Sequence, residues 1–282
     1  MEPKVTGQGL RRYAGVFGTF AHNSLVREMS FRANFIIEII SALSWMGMYL
    51  GFYILIFEYT EAIGDGPDAW SKYQFFVFLG TSLFINSIVE AFFMPNTEEL
   101  SELIRTGGLD FALLKPIDTQ FLVSLQRVDW SSLASFLFAF TLICYSFVQL
   151  GYAPSLVQIL LYVLYMGCGV GILYSLMITL SATSIWLGRN QTLYDFWFYI
   201  TNFSRYPMEI YNGRFGTPMR TAFTFFLPIL LVVNVPANLI VRPLESQNWS
   251  LAAYAVFAMA ACLLASRWVF QRALLSYRSA SS

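Results

Sequence analysis

WSSLASFLFAFTLICYSFVQLGYAPSLVQILLYVLYMGCGVGILYSLMITLSATSIWLG, residues 130–188, contains no Asp, Glu, Lys, Arg or His. A helix needs about 20 apolar residues to cross the hydrocarbon layer of a bilayer, and this stretch is too long for one. Gly151-Tyr152-Ala153-Pro154-Ser155 divides it, because glycine and proline in that order favour a turn over a continued helix. The spacing therefore predicts two antiparallel spans, near 130–150 and 156–187, the second long enough to tilt or protrude.

Working outward, 33–57 reads as a span interrupted only by Glu38, and 73–94 as another with Glu90 near its end. Residues 249–266 form the last apolar run. The whole chain of 282 residues agrees with this reading: 57% is hydrophobic and only 12% charged, against roughly a quarter charged in soluble domains. Such a chain lacks the charge to cover a water-facing surface, so the expected fold class is an all-α polytopic membrane protein with six transmembrane helices. The high aromatic content, 18%, suits bilayer interfaces.

Residues 189–241 are ambiguous. Arg189, Asp195, Arg205, Glu209, Arg214 and Arg220 punctuate the first part, and Pro228 and Pro236 interrupt the apolar remainder. One reading places a polar segment at 189–217 and a span at 218–241. The other places a short span near 191–206 and a re-entrant segment at 207–240 that dips into the membrane without crossing. Irregular backbone at that depth is tolerated where protein or a wet cavity satisfies it. Both readings give six crossings.

The basic residues set the orientation. With the N-terminus cytoplasmic, the inner side holds Lys4, Arg11, Arg12, Arg27, Arg32, Arg105, Lys115, Arg127, Arg189, Arg267, Arg272 and Arg278. The outer side holds Lys72 and Arg242, beside an acidic loop of Glu58, Glu61, Asp65 and Asp68. Both termini are therefore expected in the cytoplasm. The layout is a segment 1–32 with an interfacial helix, a transmembrane domain 33–266 and a basic tail 267–282. Residues 1–32 lack the apolar core of a cleavable signal, so the first span is expected to direct insertion.

Four features are candidates for function. Leu10, Ala14, Phe17, Ala21 and Leu25 recur at helical spacing beside Arg11, Arg12 and Arg27, as in a helix lying on a membrane surface. An anchor is the plainer reading of that helix, a lever touching a partner the sharper one. The loop after the second span reads PNTEELSELIRTGGLDFALLKPID, residues 95–118. Thr97 before Glu98 and Glu99 resembles a helix start, Gly107 and Gly108 a helix end, and Asp110 the cap of a second short helix ending before Pro116. Two short amphipathic helices at an angle would form a docking knob rather than a plain connector, which rarely needs so many residues. Gly167 and Gly171 have the GxxxG spacing of close helix packing, within the chain or between two chains. Glu38, Glu90, Asp195, Arg205 and Glu209 are charges in or near the membrane, where charge is costly and points to function. Arg205 and Glu209 stand four residues apart, the spacing of a helical ion pair.

Absences narrow the classes. No G-x-x-x-x-G-K followed by Ser or Thr occurs, nor a G-x-S-x-G or an H-E-x-x-H. Cys144, Cys168 and Cys262 have no paired spacing, and His22 is the only histidine. The chain is therefore expected to be no enzyme and to bind no metal or cofactor of its own. Its balanced charge, 17 basic against 17 acidic residues, gives no reason to expect a nucleic-acid partner.

The order of parts resembles the permease subunits of ABC-2 type transporters over nearly the whole chain. Leu103-Ile104-Arg105-Thr106-Gly107-Gly108-Leu109-Asp110 with Leu113-Leu114-Lys115-Pro116-Ile117-Asp118 is similar to the loop signature of one branch of that family. Phe203-Ser204-Arg205-Tyr206-Pro207 with Ile210-Tyr211 is similar to its second signature. The resemblance implies a second permease, identical or paralogous, two ATPase subunits that hold ATP and magnesium, and an inner-membrane location among lipid. It implies that Glu98, Glu99, Glu102, Arg105, Gly107, Gly108, Asp110, Lys115, Pro116 and Asp118 couple to the ATPase. It also implies the re-entrant reading of 207–240, with Glu38, Arg205, Pro207 and Glu209 on or near the path of a hydrophobic or amphipathic cargo. Trp45, Phe52, Phe76, Trp197 and Tyr199 would suit such a cargo, though each is equally at home facing lipid. An ion-coupled secondary transporter would want facing acidic sites and a repeat of spans. A membrane scaffold or enzyme is the remaining alternative.

Overall fold

The computed structural model describes residues 7–64, 66–187 and 191–277, without the side chains of Gln8, Leu10, 191–195 and Trp197. The expectations on Lys4, Asp65, Arg189 and Arg278, and on the side chains of Asp195 and Trp197, lie outside the described residues. The chain runs through α1 (Gly7–Ser30) and α2 (Arg32–Tyr59) into a short antiparallel hairpin, β1 (Ala62–Ile63) and β2 (Trp70–Ser71). There follow α3 (Lys72–Phe92), α4 (Met94–Thr106), α5 (Leu109–Leu113), α6 (Thr119–Leu125), α7 (Ser132–Leu150), α8 (Leu156–Ala182), α9 (Ser184–Leu187) and α10 (Gln191–Asn202). Two 3-10 turns, Phe203–Arg205 and Met208–Ile210, lead to α11 (Gly213–Thr221), α12 (Ile229–Val241) and α13 (Trp249–Ser276). The protein is a multi-pass all-α membrane protein. Among the described residues, five helical stretches are long and apolar enough to cross a bilayer, or six counting the bent pair Gly213–Phe226 and Ile229–Val241.

The turn at Gly151-Tyr152-Ala153-Pro154 forms as its sequence requires. Gly151 takes φ +61 at the end of α7, and Ser155 with Gln158 makes a capping box that starts α8. The Gln158 amide also donates to the carbonyls of Leu239 and Arg242, so one side chain ties two helix ends together.

α3 is the central pillar. Ridges of Phe75, Phe78, Leu79, Ile85 and Val89 are buried against α7, α8 and α12. In lipid such packing stabilises through close contact, because the tails around it are equally apolar. α12 is enclosed along most of its length, and its polar Asn234 is fully buried yet satisfied: it accepts from the Met208 N–H and donates to Leu230 O. Close approach between α12 and α8 depends on Gly169, where an added Cβ would sit 2.7 Å from the Val232 carbonyl oxygen. The expected Gly167/Gly171 pair divides: Gly171 faces Met259 of α13, while a Cβ at Gly167 would meet nothing. Close packing thus falls on Gly169 and Gly171; Gly167, one turn before Gly171 on the same side of α8, is exposed with no neighbour at that level.

The two ends of the molecule differ. At one end, the hairpin end, Trp70 is fully buried between Phe78 and Arg242. Its indole N–H donates to the Glu209 carboxylate at 3.0 Å, while the Arg242 guanidinium covers its ring at 5.0 Å and donates to Asp68 at 2.6 Å. Residues 209 and 242 therefore meet at one tryptophan, and between them the chain bends by 89°. The expected Arg205–Glu209 pair does not form. The backbone leaves helical geometry at Tyr206 (φ −120, ψ 141), ahead of Pro207, which destroys the one-turn spacing. Glu209 instead holds Trp70, and Arg205 lies over the Phe198 ring at 5.9 Å.

Candidate coupling interface

At the opposite end, the loop end, residues 93–130 form a compact projection. α4 follows α3 after a break at Phe93 alone, so that Lys72–Thr106 behaves as one helical rod of 35 residues. This corrects the expected helix start at Thr97. That residue lies a turn inside α4, and its hydroxyl donates back to Phe93 O at 2.6 Å. The incoming α3 already supplies the preceding turn, so no N-cap is needed there.

The rod ends where the sequence says it should. Gly107 takes φ +74, the left-handed geometry that favours glycine, and Gly108 begins the next turn. α5 follows at once with Gly108 at its N-cap, so Asp110 occupies the first turn instead of the cap. There its charge faces the positive end of the helix dipole. Pro116 falls after α5, and Asp118 caps α6 by accepting from the Phe121 N–H at 2.9 Å.

The candidate side chains separate into two groups. Glu98, Glu102, Arg105, Lys115 and Pro116 are exposed at the surface of the projection. Glu102 and Arg105 pair with each other at 2.6 Å, and that contact lowers the Glu102 carboxyl below its ordinary value. Glu99 and Asp118 face inward. Glu99 pairs with Arg127, and Asp118 pairs with Arg267 of α13, whose guanidinium also donates to Gln120 Oε1 at 2.9 Å. Burial alone would raise the Asp118 carboxyl, but the Arg267 guanidinium and the Phe121 N–H outweigh it and hold it low. Asp110 lies beside the Tyr277 hydroxyl at the end of α13.

Sequence reasoning missed the apolar part of the surface. Phe111 is 73% exposed and Leu114 80%, side by side with Leu113 on the outer face of α5 and its exit. In a sequence such residues read as core. Their signal was the helical register: Leu109 and Ala112 take the inward positions, which leaves 111 and 114 outside.

The projection is tied to the rest of the molecule on three sides. Tyr174 of α8 packs at a tilt against Phe93 and shares its hydroxyl with Gln120 and Ser124 of α6. α13 contributes Arg267 and the buried Phe270. α1 lies along the loop: Tyr13 packs edge-on to Phe121, and its hydroxyl accepts from the Asp118 N–H. Ser24 accepts from the Val128 N–H, and Glu28 accepts from the Trp130 N–H. Burial raises the Glu28 carboxyl to about 6, opposed by that N–H. The face of α1 turned inward is thus Tyr13, Phe17, Phe20, Ser24 and Glu28, rotated from the apolar line Leu10-Ala14-Phe17-Ala21-Leu25. The loop's free N–H groups need oxygen partners, and these positions supply them.

The remaining candidates lie in the membrane region. Glu38 of α2 is exposed and accepts from the Asn34 amide one turn away at 2.7 Å. Of the residues of α2 only Tyr53 is buried. Of the aromatics named from sequence, Phe76 is core, Phe52 and Tyr199 are exposed, and Trp45 borders a cavity between α2 and α3 that Arg205 and Glu90 also face. Pro207 is buried beneath Asn234. No group of His, Cys, Asp or Glu fit to hold a metal occurs among the described residues.

A family model described as ABC-2 family transporter protein matches residues 43–281. No curated protein and no solved structure matches the chain.

Proposed function

The chain belongs to the ABC-2 transporter family, and from that premise we propose that it is the permease half of an ATP-driven exporter whose engine docks on residues 94–118. The chain is a membrane permease component that works with an ATPase subunit. The finer reading places the loop end and both termini in the cytoplasm, in keeping with the basic residues gathered there. Two ATPase subunits carrying ATP and magnesium grip two such projections. A second permease, identical or paralogous, covers part of the nearly bare α2, with lipid on the rest. Residues 207–240 form a re-entrant hairpin at the outer end, supported by the return of residues 209 and 242 to one tryptophan.

The observation that carries the docking reading is the pairing of exposed Phe111 and Leu114 with a rigid attachment behind them. An aromatic anchor in a partner's cleft, rimmed by the charges of Glu102, Arg105 and Lys115, has the composition of a protein interface. A push there travels along α4 into α3, the most buried span. ATP binding shifts the spans only as far as the ATPase holds one arrangement of this projection better than the other.

The test is co-expression with a candidate P-loop ATPase. Replacing Phe111 and Leu114 by Asp together is expected to weaken capture of the ATPase by roughly 100-fold, since each anchor contributes about 1–2 kcal/mol, and to abolish ATP-driven movement of cargo in vesicles. Thermal stability of the permease alone is expected to stay unchanged, because both side chains are already in solvent. Unaltered capture by the double variant would sink the docking reading.

A further inference from the structure

Ser82, Asn86 and Glu90 stand at successive fourth positions of α3 and so share one face of that helix. Together with Trp45 and Tyr49 of α2 and with Arg205, they line a cavity of about 350 Å³ between the spans. The cavity holds one acid and one base. Among the described residues neither has an ion-pair partner: the pairs there are Glu102–Arg105, Glu99–Arg127, Asp68–Arg242 and Asp118–Arg267. Arg205 lies over the face of Phe198, and its charge is felt at Glu90 and Tyr49 without an ion-pair contact. Asn86 turns its amide back onto Ser82 O at 2.8 Å, and its carbonyl oxygen has no partner among the described residues. Opposite charges that feel one another across a cavity without touching leave their hydrogen-bonding groups unsatisfied, which is costly at this depth.

Their order along the membrane normal is informative. Glu90 is two residues from the loop end of α3, whose last residue is Phe92. Arg205 lies on the hairpin side of Glu90: four residues further on, Glu209 reaches Trp70 at the hairpin end. A ligand filling the cavity thus meets a negative group nearest the loop end and a positive group deeper in the bilayer. A zwitterionic phospholipid presents the complement: its ammonium is outermost, its phosphate lies beneath, and its tails lie deepest.

We propose that this cavity binds the headgroup of a zwitterionic phospho-amphiphile, with the ammonium against Glu90, the phosphate against Arg205, and Asn86 and Ser82 bonding between them. That such an amphiphile is transported rests on the exporter reading above, whereas its binding does not. Trp45 borders the site and reports its occupancy.

The experiment uses the full chain purified in a non-ionic detergent. Three single-chain amphiphiles of equal length, brominated near the head, serve as quenchers of tryptophan fluorescence: a lysophosphatidylethanolamine, a lysophosphatidylglycerol and an alkylamine. The zwitterion is expected to quench at about tenfold lower concentration than either singly charged probe, the ratio one satisfied charge contributes. The effect should vanish in Trp45→Phe. Glu90→Gln should erase the advantage over the anionic probe alone, and Arg205→Gln the advantage over the cationic probe alone. That crossed pattern is one that a misfolded variant does not give. Equal quenching by all three probes, or both variants weakening all three alike, would overturn the proposal. No ATPase or transport enters the measurement, so its failure and that of the exporter reading are separate.

Discussion

Individual side chains in this protein act by joining parts far apart in sequence, and Asp118 is the clearest case. It caps α6, anchors Arg267 of α13 and, through its N–H, meets Tyr13 of α1. Its carboxyl is held below the ordinary 3.8. A lowered carboxyl contributes stability that is fully present above the ordinary value and is lost as pH falls through the lower folded one. Asp118→Asn keeps the cap but loses the ion pair. It is expected to lower stability by about 0.5–1 kcal/mol at neutral pH, a small figure because both partners are partly exposed. Thermal midpoints of the detergent-solubilised chain across pH 3–7 test this (a range spanning the usual carboxyl value). The gap between parent and variant should close on the acid side, and a gap that stays constant refutes the pairing. Little of this was legible in the sequence. The cap before Phe121 is a local signal, whereas Arg267 lies 149 positions away. The same holds for Trp70 and Glu209, 139 positions apart, where local spacing pointed instead to an Arg205–Glu209 pair that the break at Pro207 removes.

Elements were far easier to read than their contacts. The long uncharged run gave α7 and α8 with the turn between them, and Gly107 with Pro116 bracketed α5, since both signals act within a few residues. Helix starts were harder: Thr97 has the chemistry of a cap, but α3 runs almost directly into α4 and makes a cap redundant. Packing faces were harder still, because a spacing such as Gly167/Gly171 does not say which neighbour comes close. Among the three glycines of α8 the tightest approach is at Gly169, against backbone that cannot swing aside. Gly169→Ala is therefore expected to destabilise the chain by about 1–3 kcal/mol through forced separation of α8 and α12. Gly167→Ala is expected to be neutral or to stabilise by up to about 1 kcal/mol through helix propensity. Unfolding of the two variants side by side decides the matter; equal losses would show that the α8–α12 contact yields more readily than its geometry suggests.

Across the whole molecule, the two ends are built differently, and the way the chain returns on itself separates them. At the loop end, α1, α8 and α13 all brace the projection that continues α3, so a force applied at Phe111 and Leu114 is delivered to several spans together. At the hairpin end, one buried tryptophan holds both Glu209 and Arg242. A segment that crossed the bilayer would separate those two residues by about 30 Å, which contact with a single indole forbids. On the re-entrant reading proposed above, the chain from 210 to 241 comes back to the side it left, and α10 (12 residues) with the turns after it carries the remaining crossing. Labelling decides this. In a chain whose Cys144, Cys168 and Cys262 are replaced, single cysteines at Tyr59, Ile210 and Glu245 should all react with a membrane-impermeant maleimide added outside intact cells. Cysteines at the exposed Leu114 and Leu275 should react only after the membrane is opened. Were positions 210 and 245 to label from opposite faces, the hairpin would be a true span, and the basic loop end would have to be reassigned with it.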